Sequence, residues 1–164
     1  MMTAKCKKQS EVNPIKRRLE AYHQLDEYIR NQEERLARLE YKMYNLSSQV
    51  ISDMPKAPST TFDRTGAMVA QHDELETKIT GLKEKRDAEW ACFESILSHM
   101  NKANEKTVIE CRYHDGEKWK DIAEIIFGSK EDFDEKELSY ERTCMRIHGE
   151  ALIEMARIEK SIRK

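Results

Sequence analysis

Two Cys–His pairs near the C-terminus carry side chains that could ligate a metal ion. Cys111 precedes His114 by three residues, and Cys144 precedes His148 by four. Either spacing places both side chains on one helical face, so the four groups could together hold Zn²⁺. The same positions also suit ordinary core and surface residues of a small helical domain. We favour that interpretation and expect neither a metal nor another cofactor.

A second set of polar side chains lies at the predicted start of the last helix. Arg142 and Arg146 are four residues apart and are therefore neighbours on one face. An arginine on such a face can form two hydrogen bonds to guanine, and Thr143 could meet a phosphate or a thymine methyl. The candidate DNA-binding residues are Ser139, Tyr140, Arg142, Thr143, Arg146 and His148.

Catalytic motifs do not accompany these residues. The sequence contains no glycine-rich phosphate loop, no GxSxG and no HExxH. Glu and Lys are abundant, but at a charged fraction of 37% they are typical of solvated helix surfaces. We therefore expect a protein that is not an enzyme.

The composition favours a few long helices. Only 38% of the 164 residues are hydrophobic, and the chain has five Gly and three Pro with which to turn. Long helices that bury a single stripe need fewer apolar residues than a compact globule does. The predicted fold is all-α. Because the net charge is −2, any surface that binds nucleic acid must have a local excess of positive charge.

The N-terminus has no apolar stretch that would act as an export signal, and no run approaches the length of a membrane span. We therefore expect a cytoplasmic protein that does not bind membranes. Its four Cys include no CxxC pair, so they should be reduced thiols.

The first half of the chain has a heptad pattern. Residues 1–12 are polar and basic and are predicted to be a tail. Asn13 followed by Pro14 predicts a helix start, because Pro is favoured at the first helical position. A seven-residue repeat of apolar side chains follows and predicts coiled-coil packing, with an interruption at Gln32 and Glu33. The repeat comprises Ile15, Tyr22, Ile29, Leu36, Met43 and Val50, with Leu19, Leu25, Leu39 and Leu46 beside it.

Two prolines and several Ser, Thr and Asp residues between positions 52 and 63 predict a loop. A second helix follows, so the pattern predicts a helical hairpin over residues 13–103, with helices at about 14–50 and 64–102. We interpret the hairpin as a scaffold through which the protein forms a homo-oligomer. The pairing could be within a chain or between chains, and a docking surface for RNA polymerase is the alternative role.

Residues 104–164 are predicted to form three further helices. Val108, Ile109 and Tyr113 lie on a short helix that ends near Gly116, and a second short helix runs from Trp119 to a stop at Gly128. A third, longer helix is predicted to begin at Ser139. Short amphipathic helices with a small residue in the middle one are typical of a helix-turn-helix, whose last helix enters the major groove of DNA.

This segment resembles a known family. The resemblance rests on CRYHDGEKWKDIA at residues 111–123, on Ser139, and on RIHGEAL at residues 146–152. Together they are similar to the helix-turn-helix of sigma-factor region four, in the version found in phage late-gene regulators of the ArpU and RinA type. The resemblance implies a transcription regulator of phage late or packaging genes that binds double-stranded DNA.

One segment departs from the family pattern. Residues 130–138 intervene before Ser139 and carry five acidic residues against two lysines, which would repel phosphates. Residues 142–164 carry six basic residues against three acidic ones, which would attract them. The first hypothesis is sequence-specific DNA binding. The alternative is a coiled-coil protein-interaction module that binds RNA polymerase or another regulator without direct DNA contact.

Overall fold

The computed structural model describes the backbone of residues 4–47 and 64–162, and the side chains of 14–45 and 65–162. The predicted all-α fold is confirmed: these residues form five α-helices and one π-helical turn, with no strand among them. They divide into two compact units. One contains α1 up to Gln24 together with the chain from Ala88 onwards, and the other contains Leu25–Asp87. The unit boundaries therefore differ from the domain boundaries expected from sequence.

The two long helices, α1 (Ala4–Ser47) and α2 (Arg64–Ser98), pair side by side within one chain. In the Leu25–Asp87 unit, Arg86 contacts Asp26 at 3.1 Å, and Lys83 contacts Glu33 at 2.6 Å. The contacting positions rise along α1 as they fall along α2, so the helices are antiparallel. The hairpin predicted from the heptad pattern is confirmed.

The predicted start of α1 is wrong. The helix begins at Ala4, so backbone that we expected to be a tail is helical, and Pro14 lies inside the helix. Proline is favoured in the first turn of a helix and disfavoured in its interior, where it removes one backbone hydrogen bond and its ring crowds the carbonyl four residues earlier. Helix α1 nevertheless continues through Pro14. The presence of a proline therefore does not by itself show where the helix begins.

The heptad pattern correctly predicts which face of α1 is buried. Ile15, Leu19, Tyr22, Ile29 and Leu39 are all less than a tenth exposed. One residue of the predicted interruption is itself buried: Gln32 is 4% exposed, and its Oε1 accepts a hydrogen bond from Arg35. Glu33 is partly exposed. Leu46 and Val50 of the predicted repeat lie outside the residues whose side chains are described.

The unit formed by the start of α1 and the chain from Ala88 has a core drawn from distant segments. Phe93 on α2 is fully buried, as are Ile15 and Leu19 of α1. Residues of the last helix pack into the same cluster, among them Ala151 and Met155. The start of α1 therefore supports the C-terminal helices directly.

Three shorter elements precede the last helix. Helix α3 (Ala103–Ile109) continues into a π-helical turn (Glu110–His114), and α4 spans Trp119–Phe127. Gly116 has φ of 77°, a conformation that glycine adopts without steric cost, and it ends the π-helical turn as predicted. Gly128 follows α4 directly, which confirms the predicted stop.

Helix α5 runs over Phe133–Ile162 and is interrupted at Lys136, so a short helical turn precedes the long helix, which resumes at Glu137, close to the predicted start at Ser139. Residues 133–135 of the acidic segment form the helical turn ahead of this kink. Phe133 is 8% exposed and packs into a core cluster, which anchors the helix six residues earlier than expected. Lys136 has non-helical angles (φ −119°, ψ 17°), so the helix is kinked there. Asp134 and Glu135 in the first turn interact favourably with the positive end of the helix dipole.

Candidate nucleic-acid interface

Helices α4 and α5 are held together by a small apolar core. Ile122 and Ala123 on α4 are fully buried, and so is Cys144 on α5. All three belong to one cluster with Val108 and Phe133. With only a methyl side chain, Ala123 allows α5 to approach closely, as expected of the middle helix. This core leaves the opposite side of α5 facing solvent.

Two arginines lie on that solvent face. Arg142 and Arg146 are both exposed and one helical turn apart. Neither forms an ion pair or a side-chain hydrogen bond in the described part of the chain. Arg157, further along the helix, is instead paired with Glu154. The first half of α5 therefore presents two arginines whose charges are available to an external partner.

Ser139 and Thr143 lie on the same stretch of helix. Ser139 is exposed, and Thr143 is partly exposed. The Thr143 hydroxyl donates to the Ser139 carbonyl at 2.9 Å, which leaves its methyl group and oxygen lone pairs available. Four of the six predicted residues therefore lie where an approaching duplex could reach them.

The Tyr140 side chain packs within the protein and does not face an approaching duplex. Its hydroxyl donates to Asp132 at 2.7 Å, and its ring stacks on Phe127 and Phe133 with centroids 4.9 and 5.7 Å away. The hydrogen bond to Asp132 and burial raise the pKa of Tyr140. This side chain joins the end of α4 to the first turn of α5.

His148 also faces the interior. Its Nε2 shares a hydrogen bond of 3.0 Å with the Tyr113 hydroxyl, and Trp119 meets the ring edge-on at 5.3 Å. Burial lowers the pKa of His148 to about 4, with smaller contributions from Lys16 and Arg112. The imidazole is therefore neutral at neutral pH and connects α5 to the π-helical turn.

The acidic first turn of α5 lies next to one of the arginines. A surface hollow of about 440 Å³ is lined by acidic residues, including Asp134 and Glu135, together with Ser139 and Arg142. Glu137 is partly neutralised by Lys120 of α4 at 2.9 Å. Arg146 lies one turn further from this hollow. The arrangement weakens the positive potential at Arg142 more than at Arg146.

The four possible zinc ligands do not come together among the described residues. The His, Cys, Asp and Glu side chains whose ligand atoms do cluster are elsewhere, on α2. Burial raises the pKa of Cys111, and it raises that of Cys144 to about 11, which favours the thiol over the metal-binding thiolate. His114 instead stacks on Trp90 with ring centroids 4.3 Å apart.

Several residues that hold α1 against the C-terminal segments could not be identified from sequence, because their partners lie far along the chain. Arg18 on α1 pairs with Glu159 at 2.6 Å and with Glu89 at 3.3 Å. Tyr22 lies 2.9 Å from His114 Nδ1. Heptad spacing showed that this face of α1 is buried, but it contained no signal for which segment covers it.

Comparisons with protein families, curated proteins and solved structures find no match for this chain. Within residues 4–47 and 64–162, no helix combines the length and apolar character that a membrane span requires.

Proposed function

We propose that the chain is a sequence-specific DNA-binding transcription regulator in which α4 and α5 act as a helix-turn-helix. The observation that carries this proposal is the pair Arg142 and Arg146, exposed on one face of α5 without an intramolecular partner. A single helix fits the major groove, which is about 12 Å wide, and arginine is the side chain that most often reads guanine there. The resemblance to phage late-gene regulators supports phage late or packaging genes as the target.

The structure also supports a division of roles among the six candidate residues. Arg142, Thr143 and Arg146 would contact DNA, with Ser139 near the phosphates at the start of the contact face. Tyr140 and His148 would position the helix, because their polar atoms are engaged within the protein. The N-terminal helices would carry the homo-oligomeric contact or bind RNA polymerase. Sedimentation analysis of the full chain tests the oligomeric part.

The DNA proposal is tested by selecting duplexes from a random-sequence library with the full chain and measuring their affinity by fluorescence anisotropy. Arg142→Ala with Arg146→Ala should abolish specific binding. Each arginine that forms a bidentate base contact contributes about 1–3 kcal/mol, roughly 5- to 150-fold in Kd. Because Arg142 borders the acidic hollow, Arg146→Ala alone should weaken binding more than Arg142→Ala alone.

The matched control removes two other exposed arginines, Arg30 and Arg38, which lie on the hairpin. That double variant changes the net charge equally and should bind the selected duplex with nearly wild-type affinity. The affinity of wild type should also fall steeply as the salt concentration rises. A plot of log K against log salt concentration should have a slope of about −0.9 for each phosphate neutralised. Unchanged affinity in the α5 double variant, with the helical circular dichroism spectrum retained, would refute the assignment.

A second candidate function has its own support. Large apolar side chains are exposed in the same region: Leu138 is 69% exposed, Ile125 57% and Met145 45%. Such residues favour a protein partner, and the acidic first turn would not oppose one. Binding to purified RNA polymerase that persists at high salt and is lost in Leu138→Ser with Met145→Ser would support this function. Selection of no duplex from the library would favour it further.

A further inference from the structure

A histidine surrounded by carboxylates lies on α2, away from the α4–α5 face. His72, Asp73 and Glu76 each offer a ligand atom, and these atoms all lie within 4.8 Å of one another. Asp73 Oδ1 is 3.4 Å from His72 Nδ1. Two ligands of a tetrahedral ion with bonds of about 2.0–2.1 Å are separated by roughly 3.3 Å. The distance between His72 Nδ1 and Asp73 Oδ1 is therefore close to that between two ligands of one ion.

The imidazole is oriented from the facing helix of the hairpin. Glu40 on α1 places Oε1 3.2 Å from His72 Nε2. Metal-binding histidines usually donate their second ring N–H to a carboxylate, which selects the tautomer and directs the other nitrogen at the ion. Because Nε2 contacts Glu40, the other ring nitrogen, Nδ1, is the one that faces Asp73 and would bind the ion. The His72 side chain is only 25% exposed, so packing within the hairpin restrains its position.

The carboxylates around His72 have no lysine or arginine partner among the described residues. Asp26 and Glu33, on the same hairpin, are paired with Arg86 and Lys83. Glu40, Asp73 and Glu76 form no ion pair with a lysine or arginine among the described residues. Three carboxylates that lack a lysine or arginine partner favour a divalent cation.

We propose that His72, Asp73 and Glu76 form a binding site for a divalent transition-metal ion of the Zn²⁺ type, with Glu40 as the carboxylate that positions the imidazole. A nitrogen ligand combined with carboxylates suits Zn²⁺ or Co²⁺, whereas Mg²⁺ and Ca²⁺ prefer oxygen ligands alone. Water would complete the coordination. The site lies entirely in the Leu25–Asp87 unit, and it does not depend on the proposed DNA binding.

The test is titration of the metal-free full chain with Co²⁺ and with Zn²⁺, followed by absorption spectroscopy and calorimetry. One ion should bind per chain at this site. His72→Ala and the double variant Asp73→Asn with Glu76→Gln should each abolish that binding. Glu40→Gln should weaken it by about 10- to 100-fold, as expected for a carboxylate that orients a ligand. His99→Ala, which removes an exposed histidine elsewhere, should bind as wild type does.

The Co²⁺ spectrum separates this site from the cysteines, because thiolate ligands produce an intense charge-transfer band and imidazole with carboxylate ligands does not. The expected spectrum lacks that band, and excess Mg²⁺ should not displace the ion. Equal affinity in wild type and His72→Ala would overturn the proposal. A thiolate band as the only signal, or no binding at millimolar Co²⁺, would overturn it too.

Discussion

Acid should destabilise the protein through His148. The pKa of this imidazole is lowered from 6.5 to about 4 by burial beside Tyr113 and Trp119. The unfolded chain therefore binds a proton at a higher pH than the folded protein does. A histidine with a depressed folded-state pKa contributes stability that is fully present above pH 6.5 and is lost as the pH falls towards 4.

The size of the effect follows from the same two pKa values. Integrating proton binding between pH 7 and pH 4.5 gives a loss of about 2 kcal/mol in the free energy of unfolding. Carboxylates also titrate in this range. The informative quantity is therefore the difference in unfolding free energy between wild type and His148→Gln, because the contribution of the carboxylates cancels in that difference.

Urea denaturation followed by circular dichroism at half-unit steps of pH measures this difference. Wild type should lose about 2 kcal/mol more than His148→Gln between pH 7 and 4.5. Tyr113→Phe should keep most of the pH dependence, because burial and not the hydroxyl is the main cause of the shift. Parallel stability curves for wild type and His148→Gln would show that the imidazole is not held neutral inside the fold, and the reasoning would fail.

Two further predictions each compare a pair of residues in opposite environments. Phe93→Ala should destabilise the protein by about 3–5 kcal/mol in urea denaturation, because the ring is fully buried, whereas exposed Cys92→Ala should change stability by less than about 0.5 kcal/mol. Comparable losses for both would contradict the assigned core. Gly116→Ala should cost about 1 kcal/mol because of its positive φ. Gly149→Ala should instead raise the melting temperature, since the added methyl meets no atom within 4 Å and Ala favours the helix; a decrease would contradict this.

Much of the fold could be predicted from local sequence because the relevant signals are local. A heptad of apolar residues identifies the buried face of a helix wherever that helix packs, and Ile15 and Ile29 are buried accordingly. Glycine ends a helix through its own conformational freedom, as at Gly116. The exposed positions of Arg142 and Arg146 also agree with the amphipathic pattern of α5.

The start of α5 and the roles of two candidate residues could not be predicted in this way. Whether Phe133 begins a helix depends on the apolar cluster that receives it. Whether His148 faces DNA or the interior depends on Tyr113, which lies 35 residues away in sequence. Both outcomes are decided by side chains from distant segments that meet only after folding.

The sequence by itself determined that the chain is helical, which faces are apolar and where the positive charge of the last helix lies, since each depends on neighbours within a few residues. Only the tertiary structure decided that the start of α1 packs under the C-terminal helices, that Tyr140 and His148 are internal anchors, and that Glu40 meets His72. The physical reason is that burial and hydrogen bonding between distant segments depend on the complete packing arrangement, which no local pattern specifies.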